Sequence, residues 1–88
     1  MKAKEMFEKL GYKEKINYTY DFIEYVKIDE THTSEIVFFK GDKTIQAYQY
    51  ENWKGDDDGY ALSITLEELQ AINKQIEELG WNEKRNER

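Results

Sequence analysis

Asp56-Asp57-Asp58-Gly59 is the first place where residue types and spacing suggest chemistry, and that chemistry would be calcium binding. An EF-hand loop alternates its ligands so that they converge on one ion. Counting from Asp56 puts Glu67 at the twelfth position, where a Glu is required. Positions three and five are then Asp58 and Tyr60, and a tyrosine cannot replace that carboxylate. Position six, normally Gly, is Ala61. The segment therefore reads as a solvated acidic loop. His32 lies in Thr31-His32-Thr33-Ser34, where an imidazole beside hydroxyls suggests a base and a nucleophile. Neighbouring loop residues seldom converge in that way, and no Gly-rich oxyanion loop accompanies them, so the segment reads as a polar turn. Carboxylates are plentiful, but no pair falls in an expected apolar pocket that would separate two pKa values. One histidine and no cysteine leave no His/Cys metal site. The residues argue against an enzyme, and neither a cofactor nor a metal is expected.

Charge is more informative by position than in total. Nineteen acids and thirteen bases give a net −6. Residues 16–82 hold five Lys and fourteen acids, or −9, and contain no Arg. A phosphate-binding surface needs clustered Lys and Arg to release counterions. Direct nucleic-acid binding is therefore not expected. An acidic face aimed at a basic partner is the sharper reading, and a solvated surface that keeps the chain soluble is the plainer one.

The elements that must position these residues are readable from periodicity. Eighty-eight residues make one domain, expected over residues 1–82, with 83–88 a frayed polar tail. Thirteen aromatic residues argue against disorder. No apolar run is long enough to span a membrane and no secretory leader is evident, which predicts a soluble, cytoplasmic protein. Residues 2–10 predict a short helix with Ala3, Met6, Phe7 and Leu10 on one face. Residues 65–79 predict a longer helix, with Thr65 and Glu68 forming a capping box and Leu66, Leu69, Ile72, Ile76 and Leu79 an apolar stripe. Gly11 and Gly80 end the two helices in left-handed conformations, followed by Tyr12 and Trp81.

Residues 22–28, 35–40 and 43–50 predict strands rich in β-branched and aromatic residues. Gly41-Asp42 predicts a two-residue hairpin that sets Phe39 opposite Thr44, Phe38 opposite Ile45 and Ile36 opposite Ala47. Pairing Ile28 with Ile36 then sets Val26 against Phe38 and Glu24 against Lys40. Residues 16–20 extend or lead into the first strand, and residues 60–64 read as a short fourth strand. The expected fold is an α+β two-layer sandwich, helix, three-stranded antiparallel meander, helix. Its covered face carries Val26, Ile28, Ile36, Phe38, Ile45 and Ala47. Its other face carries an aromatic patch of Tyr25, Val37, Phe39, Tyr48 and Tyr50, which reads either as covered by residues 12–20 or by the 53–60 loop, or as a contact surface for a partner or a second copy of the chain.

Helix, three strands, helix is similar in order to the double-stranded-RNA-binding domain. Such a domain sets Lys at the start of its second helix, whereas this chain has Leu66-Glu67-Glu68, so the RNA-binding function is not carried over. Residues 4–12, KEMFEKLGY, and 64–81, ITLEELQAINKQIEELGW, resemble small uncharacterised proteins encoded by phages and prophages of Gram-positive bacteria. The resemblance implies a bacterial host cytoplasm, where accessory proteins often inhibit host machinery. Together with the acidic body it predicts an anti-defence, anti-CRISPR-like inhibitor of a basic, nucleic-acid-binding host protein. Asp56, Asp57, Asp58, Glu67 and Glu68 would stand in for phosphates, extended by Glu77 and Glu78. The alternative is a non-inhibitory adaptor or assembly module, or a homodimer, that uses the aromatic face. No membrane partner is expected.

Overall fold

A computed structural model describes residues 1–15, 21–54 and 59–81. The elements in chain order are α1 (Ala3–Lys9), β1 (Lys13–Lys15), β2 (Phe22–Ile28), β3 (His32–Phe39), β4 (Thr44–Glu51), β5 (Tyr60–Ala61) and α2 (Leu66–Leu79). The strands form one antiparallel sheet in sequential order β1-β2-β3-β4-β5. The architecture is α+β, with both helices on one face of that sheet. β5 occupies the start of the segment expected as a fourth strand, and β1 lies in residues where no strand was expected. Residues 16–20 and the expected tail lie outside the described residues.

Both helix ends follow the expected stop signal. Gly11 has φ 95° and Gly80 φ 76°. Tyr12 N–H donates to Phe7 O at 3.0 Å and Gly11 N–H to Glu8 O at 3.0 Å; Trp81 and Gly80 repeat this on Ile76 and Glu77. These are the paired bonds of a Schellman ending. At the start of α2, Thr65 Oγ1 accepts from Glu68 N–H and Glu68 Oε1 accepts from Thr65 N–H, each at 3.0 Å. The capping box is formed as read.

The β3–β4 register is the expected one, Phe38 opposite Ile45 and Ile36 opposite Ala47. Its turn differs. The strands stop at Phe39 and Thr44, and the left-handed residue is Lys43, φ 57°. The β2–β3 register is not the expected one. Ile28 faces Thr33, Val26 faces Glu35, Tyr25 faces Ile36 and Ile23 faces Phe38. The shift is three residues, and an odd shift exchanges the two faces of a strand. Asp29 is the cause. Its Oδ1 accepts from Thr31 N–H at 2.8 Å and His32 N–H at 2.7 Å, closing a tight turn in place of a longer loop.

That exchange sends Tyr25 and Ile23 into the core and turns Val26 and Ile28 out. The core is Phe7, Tyr12, Tyr25, Ile36, Phe38, Ala71 and Ile72, bordered by Met6, Leu10, Ile45 and Ala47. Phe7 stacks on Tyr25 at 4.0 Å and meets Phe38 edge-on at 6.2 Å. Two tyrosine hydroxyls are thereby buried and need acceptors. Tyr25 Oη donates to Gln75 Oε1 at 2.6 Å, and Tyr12 Oη to Glu68 Oε2 at 2.8 Å. α2 therefore buries Glu68, Ala71, Ile72 and Gln75. Leu66 and Leu69 are 65% and 44% exposed, contrary to the expected stripe.

Candidate contact surface

The sheet face opposite the helices is built around β3, whose Thr33, Glu35, Val37 and Phe39 alternate with the core residues Ser34, Ile36 and Phe38. Among the described residues no helix covers it. Pairing sets cross-strand rows. One row is Lys13, Val26, Glu35, Tyr48 and Ala61; the next is Lys15, Glu24, Val37 and Gln46. Thr33, Glu35 and Val37 are buried at the centre of the face. Val26, Phe39, Tyr48 and Tyr50 are half-buried around them, and Ile28 is 70% exposed.

Glu35 is the hub. Tyr48 Oη donates to its Oε1 at 2.6 Å and Tyr50 Oη to its Oε2 at 3.1 Å. The two tyrosine rings stack, 6.3 Å apart and 24° from parallel. Glu24 lies diagonal to Glu35 on the neighbouring strand and on the same face, where each carboxyl shifts the other's hold on its proton. Burial, then the bond to Glu35 and its charge, raise Glu24 to about 7, against a smaller opposing effect from Lys15. Burial also pushes Glu35 up, but the hydrogen bonds from Glu24, Tyr48 and Tyr50 and the charge of Lys15 outweigh it and hold Glu35 below the usual range. Burial and the bond to Glu35 push the Tyr48 hydroxyl up in turn. The expectation that no carboxylate pair separates its pKa values is therefore corrected. The pair was hidden because the register read for β2 put Glu24 on the wrong face.

A groove of about 490 Å³ runs beside the hub, lined by Lys13, Lys15, Val26, Ile28, Glu35 and Tyr50 among others. Apolar margin, aromatic rings with polar tips and a fixed carboxylate are the materials of an interface. Two carboxyls with divided pKa values also equip general acid–base catalysis. Here both oxygens of Glu35 are already engaged by hydroxyls, which suits holding better than proton transfer.

Of the five residues expected to form the aromatic patch, Val37, Phe39, Tyr48 and Tyr50 share this face. Tyr25 does not; it lies on the opposite face, 2% exposed, because of the β2 register. Of the expected acidic surface, Glu68 alone among the described residues is placed otherwise than read. Asp56, Asp57 and Asp58 lie outside the described residues. Glu67 is exposed, but Glu68 is 5% exposed, bound to Tyr12 and Thr65 with Lys27 Nζ at 3.8 Å. Glu77 pairs with Lys74 at 2.8 Å, and Glu78 accepts from Ala3 N–H at 2.8 Å. His32 sits in the Asp29 turn, its Nδ1 2.7 Å from Thr31 Oγ1.

No family model, curated protein or solved structure matches this chain. Among the described residues no group of three His, Asp or Glu side chains is placed to hold a metal ion, and no helix is long and apolar enough to cross a membrane.

Proposed function

We propose that this protein is a protein–protein interaction module that docks a basic partner on the open face of its sheet. The observation that carries the reading is the Glu35 hub, a buried carboxylate ringed by Tyr48, Tyr50, Val26 and Val37 on a face no described helix covers. The net charge of −6 steers a basic partner toward the molecule, and the aromatic margin supplies contact area. In its most concrete form the partner is a nucleic-acid-handling host protein and the module an anti-defence, anti-CRISPR-like inhibitor. The resemblance of residues 4–12 and 64–81 to phage and prophage proteins supports that context. An adaptor that docks without inhibiting uses the same face.

The experiment is a substitution pair against a partner captured from a Gram-positive host and identified by mass spectrometry. Tyr48→Ala and Glu35→Gln are expected to weaken binding at least tenfold while the far-ultraviolet dichroism is retained. Reversal of Asp56, Asp57 and Asp58 to Lys is expected to lower the salt dependence more than the affinity at physiological salt. The opposite pattern would make the acidic loop the working surface.

A further inference from the structure

One end of the sheet gathers an exposed tryptophan, two carboxylates and a cation of the chain's own. The Asp29 turn between β2 and β3 lies beside the end of β4, where His32 pairs with Glu51. Asn52 ties the two together. Its backbone N–H donates to Thr31 O at 2.9 Å and its Nδ2 to Asp29 O at 2.9 Å, while its Oδ1 accepts from Thr33 Oγ1 at 2.6 Å. Three bonds on one residue thus hold a hollow of about 540 Å³, lined by Glu30, Thr31, His32, Glu51, Asn52 and Trp53. Trp53 is 78% exposed, the most of any large apolar side chain among the described residues. Lys54 Nζ stands 5.0 Å from the centre of the Trp53 ring and 3.8 Å from Glu51 Oε1. An indole and a carboxylate that converge on one ammonium group are what recognition of an organic cation requires.

We propose that this hollow is a binding site for an arginine side chain of a protein partner, and that Lys54 fills the cation's place in the free chain. Glu30 and Glu51 offer two carboxylates, and Lys54 offsets one of them. The Lys54–Glu51 pair is a partly exposed ion pair three residues apart, of the kind that contributes little and exchanges readily. A guanidinium stacks flat on an indole and forks onto a carboxylate, and an ammonium does neither, so arginine is favoured over the lysine it displaces. The site uses Trp53 and Lys54, which the docking reading above does not, so either can fail without the other.

The test is a titration of the full chain with nona-arginine peptide, followed by the indole N–H signals of its two tryptophans, which read access to each ring directly. The Trp53 signal is expected to shift, and that of Trp81, half-buried near Phe38, to hold still. Trp53→Leu should weaken binding severalfold. Lys54→Gln removes the chain's own cation and should tighten binding severalfold. Lys74→Gln makes the same change in net charge and frees Glu77 on α2, away from any tryptophan contact, and should tighten it less. Nonalysine peptide should bind more weakly than nona-arginine. An unmoved Trp53 indole would overturn the site. So would equal tightening by Lys54→Gln and Lys74→Gln with no loss in Trp53→Leu, because charge alone would then account for the binding. Equal affinity for the two peptides would overturn the assignment to arginine.

Discussion

Glu24 holds its proton to about pH 7 in the folded chain, against 4.5 for an unperturbed glutamate. The folded state therefore binds this proton more tightly than the unfolded one. The stabilisation is complete below pH 4.5 and is lost as the pH rises through about 7. Glu35 is shifted the other way, so its contribution is present above 4.5 and changes only at more acidic pH. Between pH 5 and 8 the slope belongs to Glu24. After allowance for solvent screening we expect a loss of roughly 1 kcal/mol across that interval. Urea midpoints measured at both ends should show it, and Glu24→Gln should flatten it. Tyr25 offers a second single-residue test. Tyr25→Phe removes the donor to Gln75 and leaves a buried amide oxygen unpaired, at a cost of about 1–3 kcal/mol. An unchanged melting temperature would show that Gln75 finds another donor. Neither residue declared itself in the sequence. Tyr25 and Glu24 read as members of the wrong faces because their strand was read three residues out of register.

At the scale of elements, legibility followed how local the signal was. Thr65 and Glu68 cap α2, and Gly11 and Gly80 end the helices, through bonds that span at most five residues of chain. Either glycine replaced by alanine should cost about 1 kcal/mol, because a Cβ is strained at positive φ. Gly11→Ala would also bring that Cβ to 3.1 Å from Lys27 Cδ, which a flexible side chain can relieve. The β3–β4 register was legible because Gly41-Asp42 fixed the centre of the hairpin, even though the left-handed residue proved to be Lys43. The β2–β3 register was decided by Asp29, whose side chain imitates a backbone acceptor, and apolar matching across the strands pointed elsewhere. The rotation of α2 followed from that register, since Tyr12 and Tyr25 draw Glu68 and Gln75 inward. Paired substitutions separate the two rotations. Ile72→Ala, at a 7% exposed site, should cost roughly 2–5 kcal/mol, and Leu69→Ala, at 44%, less than about 1 kcal/mol. Equal costs would return Leu69 to the core.

Across the whole molecule, one sheet face is bound up in the core and the other combines a fixed carboxylate pair, two stacked tyrosines and an apolar margin. Acidity read from composition pointed to a basic partner but placed the contact on the acidic loop and the start of α2. Glu68 does not stand at that surface, and Glu77 and Glu78 are engaged within the fold. Glu67 is exposed, Asp56, Asp57 and Asp58 lie outside the described residues, and the sheet face that no described helix covers gathers Glu35, Tyr48, Tyr50 and Val26. The most direct test is a methyl-resolved NMR titration of the full chain with nona-arginine peptide, because methyl groups distinguish the two faces as backbone amides do not. The account predicts that Val26, Ile28 and Val37 shift while Ile36, Ile45 and Ile72 do not. Shifts confined to Leu66 and Leu69 beside Glu67, with Val26, Ile28 and Val37 unmoved, would contradict it.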